Sequence, residues 1–367
     1  MGRDNRNFGC GRTFSEQTCN RLAIASAAAR GNASESVDKA NTCLRDFVAF
    51  LDDQYPGIKN LEAVTQEVLN KYAKNLAEQV QVGDIGKGTS ANRISVLNQI
   101  FQLDPAHRGL KLSAKEWSIS NDNRTSWENR AISQSAANAQ MKEIVRQYSE
   151  TKDIRFLALG HAIDMQRSAG LRFEESSKID LVKADFSNGQ VAIGKGEGMK
   201  NAKPRVLEPV AGGIRAFWAA KTFVLGNPGM FQRGTLIPMT ETYDSWTNWA
   251  EKKIRAINAT IGETGKFHGH RHHYAHISYA EKWVQRTVIR VECTVAAGCT
   301  EKGQWKEYAS KLTGLSIADC KRIDKEIRTG VKGRDATGRT IVVKNGVTQE
   351  LGHSRQDVTN SYCGSSV

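Results

Sequence analysis

Four short segments hold most of the side chains in this sequence that are equipped for chemistry. The first is Ser168-Ala169-Gly170-Leu171-Arg172-Phe173-Glu174-Glu175, the second Gly194-Lys195-Gly196, and the third His268-Gly269-His270-Arg271-His272. The last is Leu351-Gly352-His353-Ser354, with Tyr362 nine residues beyond its histidine. These residue types suit attack on a phosphodiester. Such attack builds charge on two non-bridging oxygens, and the planar forks of Arg172 and Arg271 can meet it bidentately. A tyrosine hydroxyl can serve as nucleophile and keep the phosphodiester energy in a covalent bond. A lysine can protonate the departing oxygen. Taken singly, each segment is commonplace.

Together, and in this order, the four segments resemble the tyrosine recombinases of phages and integrative elements. Residues 168–175 are similar to that family's Gly-Leu-Arg-x-x-Glu box, and residues 268–272 to its His-x-x-Arg-His box. The resemblance covers roughly residues 150–367 directly, and a helical N-terminal domain agrees with the family's core-binding domain. It implies that Arg172 and Arg271 hold the phosphate, and that Tyr362 attacks it to form a 3′-phosphotyrosyl bond. It further implies that Lys195 protonates the leaving 5′ oxygen, His268 assists proton transfer and His353 hydrogen-bonds the phosphate. Glu175 helps keep the site in order, and His272 supports it by packing. The implied partners are double-stranded DNA sites, held by a homotetramer that works through a Holliday junction, with accessory excision or host factors as further candidates. No cofactor or metal is implied.

Five of the eight histidines, His268, His270, His272, His273 and His276, lie within nine residues. A metal cluster is one reading of them. Against it, no Asp falls inside the stretch and neither HExxH nor zinc-ribbon spacing is present. On a helix His272 and His276 share a face, with His268 and His270 expected to precede it. His270 and His273 are expected to be structural or DNA-facing. The Gly86-Lys87-Gly88-Thr89 stretch invites a phosphate-loop reading, but the earlier glycine is missing and Lys87 is not followed by Ser or Thr.

The balance of charge agrees with a polyanionic partner. The 52 Lys and Arg exceed the 39 Asp and Glu, for a formal charge of +13, and each phosphate neutralised releases counterions. No apolar run approaches the roughly 20 residues that span a bilayer, and the first residues lack the apolar core of a signal peptide. The seven cysteines are odd in number and irregularly spaced, with no CxxC pair. They read as reduced thiols of a cytoplasmic, nucleoid-associated protein.

The elements that must position these residues follow from periodicity and turn signals. Residues 1–14 form a tail. Residues 15–105 read as a four-helix core-binding domain, with a first helix near 16–28. The second carries Val37, Ala40, Leu44, Phe47, Val48 and Leu51 on one face; the third carries Leu69, Tyr72, Ala73, Leu76 and Val80, capped by Thr65 and stopped at Gly83. The fourth holds Ile94, Leu97, Ile100 and Phe101 after a Thr89-Ser90 cap. Residues 106–135 read as a basic linker. Residues 136–367 then form an α+β catalytic domain, so the chain as a whole is mainly α with a small β-sheet. Extended segments near 190–193 and 205–207 form a hairpin carrying Lys195, and helices are expected near 213–223, 245–257 and 272–286.

Arg271 and His353 are 82 positions apart, more than compact family members need. The excess, about 291–345, resembles an insertion in integrases of integrative elements and plasmids. It includes a helix with Ile317, Cys320, Ile323 and Ile327 on one face, then a basic glycine-rich loop with Lys332, Arg334 and Arg339. Asn345-Gly346 either turns a hairpin or precedes a helix entering Leu351, and the helix is preferred. Only five residues follow Tyr362, so the insertion is expected to supply contacts between subunits. Three rival activities share parts of this pattern: a type IB topoisomerase working as a monomer, a catalytically silent DNA-binding protein, and a metal-dependent nuclease built on the histidines.

The lengthened hairpin leaves Lys195, Lys200 and Lys203 in competition as general acid, and leaving-group chemistry separates them. Sulfur at the 5′ bridging position lowers the leaving-group pKa by roughly six units, at about 1.4 kcal/mol each, which makes proton donation dispensable. Lys195→Ala is expected to cleave ordinary DNA slowly and to recover on 5′-bridging phosphorothiolate DNA, whereas Arg172→Ala and Arg271→Ala do not recover comparably. Sulfur rescue of Lys200→Ala or Lys203→Ala instead would move the acid.

Overall fold

A computed structural model of the chain describes residues 19, 22–25, 34–103, 109–119, 128–194, 205–301, 303–334, 340–351 and 356–364. It divides into two units, Met1–Asp122 and Asn123–Val367. Lys195 and His353 fall outside the described residues, as do Lys200, Lys203 and Arg339.

In the first unit residues 22–25 are helical, followed by α1 (Ser34–Gln54), α2 (Gln66–Gln81) and α3 (Lys87–Leu103). The apolar faces read from the sequence converge, with Leu44 and Phe47 of α1, Leu69 and Tyr72 of α2, and Leu97 and Phe101 of α3 buried together. Phe47 lies edge-on to Tyr72 at 5.0 Å and to Phe101 at 6.3 Å. Thr65 caps α2, its hydroxyl accepting from the Val68 N–H at 3.4 Å. The Thr89-Ser90 cap is not formed. The Gly86 carbonyl already accepts from the N–H groups of Thr89 and Ser90, so α3 starts at Lys87, ahead of this pair, and Ser90 sits buried inside it.

The stretch expected as a linker is not free chain where it is described. Leu112 and Ile119 are buried in the first unit's core. The Asn98 amide donates to the Leu112 carbonyl and accepts from its N–H, both at 2.8 Å. The division between units falls within the expected linker, after Asp122.

The second unit begins with α4 (Gln134–Thr151), α5 (Arg155–Ala169) and α6 (Phe173–Lys178). The expected hairpin follows, β1 (Val191–Ile193) paired antiparallel with β2 (Arg205–Leu207) in the register Val191↔Leu207. Then come α7 (Ile214–Gly226), α8 (Tyr243–Thr260) and α9 (Phe267–Thr287). α5 is buried on most of its circumference, from Phe156 to Ala169, which makes it the axis of the unit's main core. Under the cleft described below, Phe173 stacks on Phe267 at 4.1 Å, tying α6 to α9. The Trp246 indole of α8 donates to the Ser177 hydroxyl at 3.0 Å.

The stretch expected as an insertion folds, where it is described, as α10 (Gln304–Thr313), α11 (Ile317–Thr329) and a second hairpin, β3 (Val331–Arg334) with β4 (Thr340–Lys344). α11 buries Cys320, Ile323 and Ile327, as its spacing requires, while Ile317 at its start is exposed. Lys332 and Arg334 lie in β3, not in a loop, because Val331–Arg334 finds a partner strand in 340–344. Asn345-Gly346 is not the turn of that hairpin; it leads into α12 (Val347–Glu350), which enters Leu351 as expected. α13 (Gln356–Cys363) carries Tyr362. No helix among the described residues is long and apolar enough to cross a membrane.

Candidate active site

Arg172 is placed by the way α5 ends and α6 begins. Gly170 closes α5 at φ +65°, its N–H donating to the Gln166 carbonyl at 2.9 Å. This left-handed conformation favours glycine, and a Cβ at Gly170 would also collide with the Tyr274 ring. Arg172 then stands at the N-cap of α6. Glu175, three residues on, reaches back to accept from the Arg172 N–H at 2.7 Å, one half of a capping box.

Glu175 is fully buried and gathers three guanidinium groups. Its carboxylate accepts from Arg172 Nη1 at 2.8 Å and from Arg205 Nη2 at 2.7 Å, and lies 3.8 Å from Arg271 Nη1. Burial alone would raise its pKa, but Arg205, Arg271 and Arg172 outweigh that and hold it below the ordinary carboxylate range. Arg205 was missed in the sequence. Its signal was strand parity: two residues before buried Leu207, it shares that residue's face of β2.

The His-x-x-Arg-His residues lie inside α9, which starts five residues before the expected 272. Gly269 does not interrupt the helix. It is instead a point of close approach: a Cβ there would press on Ile132 and on the Arg130 carbonyl, and Ile132 N–H donates to the Gly269 carbonyl at 3.2 Å. With the helix extended, His268, Arg271 and His272 fall on one face.

Arg271 is 1% exposed. Its Nη1 donates to the Gly170 carbonyl, its Nη2 to the Leu351 carbonyl, and its Nε to the Tyr362 hydroxyl at 3.2 Å. The same hydroxyl lies 2.8 Å from His268 Nε2. Tyr362 is itself 3% exposed. The His272 ring packs on its ring at 4.4 Å, and His276 Nε2–H donates to its backbone carbonyl at 2.8 Å. The histidines therefore go to separate tasks, with His270 3.4 Å from Arg167. Among the described residues no three His, Cys, Asp or Glu side chains are grouped to hold a metal.

Arg172, His268 and Arg271 open onto a cleft of about 370 Å³, also lined by Lys266, Arg255 and Tyr243. His268 keeps one edge exposed to the cleft, but desolvation of its ring by the groups packed around it, helped by Arg271 and Arg172, pushes its pKa down to about 4. A neutral imidazole results at pH 7, with Nε2 able to accept the tyrosine proton while Arg271 Nε donates to the same oxygen. Of the residues expected in the site, the structure brings together Arg172, Glu175, His268, Arg271, His272 and Tyr362.

No family model matches the chain, and no curated protein matches it in sequence. Solved structures do. The Tn1549 transposon integrase, residues 82–397, in complex with circular intermediate DNA, aligns at TM-score 0.50 and 14% identity over 97% of each chain. The XerH site-specific recombinase bound to palindromic difH substrate, a post-cleavage complex, aligns at TM-score 0.50 and 14% identity over 84% of this chain and 80% of its own. The chain thus shares the fold of these two proteins, mainly α with small β elements.

Buried and half-buried imidazoles make stability pH-dependent. Burial lowers His270 and His272 to about 3, and His161 and His273 to about 4. In the unfolded chain each takes a proton near 6.5, so between pH 6.5 and about 4 unfolding binds protons and stability falls as pH falls. The slope is on the order of 1.4 kcal/mol per pH unit for each imidazole in that window. Urea unfolding followed by tryptophan fluorescence is expected to show a midpoint that drops between pH 7 and 5; an unchanged midpoint would contradict neutral burial.

Proposed function

We propose that this protein is a site-specific DNA recombinase, an integrase of a mobile element, that cuts and rejoins strands through a 3′-phosphotyrosyl bond to Tyr362. The observation that carries this reading is the hydroxyl of Tyr362, held between Arg271 Nε and His268 Nε2 beside a basic cleft. A scissile phosphate in that cleft meets the Arg172 and Arg271 forks, which neutralise charge developing on its oxygens. His268 takes the phenolic proton as the tyrosine oxygen bonds to phosphorus. The bond to the 5′ oxygen breaks, and that oxygen takes a proton from a lysine, assigned to Lys195. His353 supplies a further hydrogen bond to the phosphate. Attack by a new 5′ hydroxyl reverses these steps and joins a different strand.

Two solved proteins that share the fold are an integrase and a site-specific recombinase, each bound to DNA, which supports duplex DNA as the substrate. A homotetramer exchanging strands in pairs through a Holliday junction is the assembly this chemistry calls for. The helical first unit serves as core-binding domain, and accessory excision or host factors would set direction. No step requires a metal, because the arginines do the work that divalent ions do in nucleases.

A duplex selected from a random pool by binding to the protein, nicked so that the cut strand cannot rejoin, provides the test. The parent protein is expected to form a protein–DNA adduct on a denaturing gel, undiminished by EDTA. Tyr362→Phe is expected to bind the duplex about as well and to form none. Adduct persisting in Tyr362→Phe, or cleavage lost in EDTA and restored by zinc or magnesium, would overturn the reading. Relaxation of supercoiled DNA with no exchange between two selected sites would assign the same chemistry to a topoisomerase.

A further inference from the structure

The insertion makes several polar contacts at the end of the helix that carries Tyr362. A helix leaves its last carbonyls without intrahelical partners, and around the end of α13 three carbonyls are met from other elements. The Tyr362 carbonyl accepts from His276 of α9 at 2.8 Å, and the Cys363 carbonyl from the Val295 N–H of the insertion at 3.3 Å. The Gly364 carbonyl accepts from Arg328 Nη1 of α11 at 2.7 Å, and the same nitrogen reaches Asn360 Oδ1 at 3.1 Å.

Arg328 is fully buried, and its own position is fixed in turn. Its Nε donates to Asp324 Oδ1 at 2.7 Å, and the Tyr279 hydroxyl donates to the same oxygen at 2.5 Å. A buried pair of this kind recovers its desolvation cost only with good geometry and further hydrogen bonds, so it adds little to stability over apolar packing. It does fix direction. The guanidinium fork holds Asp324 with one nitrogen and the helix end with another, a span that a single ammonium does not reproduce. A cation at a helix C-terminus also meets the negative end of its dipole.

We propose that the insertion is a clamp for the nucleophile, with Arg328, anchored by Asp324, as the positioning residue that sets where the Tyr362 hydroxyl lies. The inference rests on the reading of Tyr362 as nucleophile. A misplacement of about 1 Å at a reacting atom costs on the order of 10²-fold in rate, so the clamp acts on adduct formation and leaves DNA binding alone.

The test uses the full chain and the selected nicked duplex. Arg328→Met combined with Asp324→Asn removes both charges and keeps an acceptor for Tyr279. It is expected to bind the duplex within about threefold of the parent and to form adduct at least about 30-fold more slowly. Asn360→Ala and Arg328→Lys, milder changes, are expected to lose about three- to tenfold. Hydrogen peroxide then separates positioning from general damage. In Tyr362→Phe, peroxide oxygen attacks phosphorus in place of the phenol and the 5′ oxygen leaves as before. Adding the Arg328 and Asp324 changes to that background is expected to alter peroxide cleavage by less than about twofold.

Adduct formation at the parental rate in the paired replacement overturns the clamp. So does peroxide cleavage that falls as far as tyrosine cleavage, since the phosphate site itself would then be damaged. Should the paired replacement fail to fold, parental adduct rates in both Asn360→Ala and Arg328→Lys overturn it equally. Adduct persisting in Tyr362→Phe is a different failure, which removes the nucleophile and the clamp together.

Discussion

A guanidinium that is 1% exposed must find acceptors for its N–H groups inside the protein, and Arg271 finds them on segments distant in sequence. It donates to the Gly170 carbonyl where α5 ends, to the Leu351 carbonyl after α12, and to the Tyr362 hydroxyl on α13. It also lies 3.8 Å from the Glu175 carboxylate on α6. Burial lowers the Arg271 pKa, while Tyr362 and Glu175 act in the opposite direction and Arg172 and Arg205 add to the lowering. Left unmatched, a buried charge of this kind costs several kcal/mol. The need to match it draws α5, α6, α12 and α13 onto the first turns of α9.

That requirement explains the second layer of buried polar groups. Three arginines converge on one place only because Glu175, fully buried, accepts from two of them and faces the third. The segment that delivers Leu351 is held by Glu350, which pairs with Lys282 at 2.6 Å and accepts from the Ser278 hydroxyl at 2.7 Å. The end of α13 is held by His276, Val295 and Arg328. Each contact fixes a backbone segment that presents an atom to Arg271 or carries the tyrosine. Here the insertion contributes to the site within one subunit, alongside the subunit contacts expected of it from the sequence.

Much of this was legible because some signals depend on local chemistry alone. Thr65 caps α2 and the apolar faces of α1 to α3 meet, since periodicity of 3.6 states which side must be buried. The β1–β2 hairpin and the burial of Cys320, Ile323 and Ile327 follow for the same reason. Signals that depend on what packs against a residue were misread or missed. Gly269 gives no sign of a close approach until the chain at Arg130 and Ile132 is seen lying against it. Ser90 looks like a cap until Gly86 is seen to start the helix. Arg205 is one cation in a basic stretch until Glu175 is in place. Arg328 had no motif to announce it, since its partners come from α13 and from its own helix.

In the proposed reaction Arg271 and His268 present the Tyr362 hydroxyl for attack on DNA, so the decisive measurement is which atom becomes bonded to phosphorus. The adduct formed with a nicked, selected duplex can be digested with protease and nuclease and the nucleotide-bearing peptide sequenced by mass spectrometry. A nucleotide joined through its 3′ phosphate to Tyr362 is expected. A nucleotide on Tyr274, Tyr279 or Tyr308, or a cut strand with no protein attached, would contradict it.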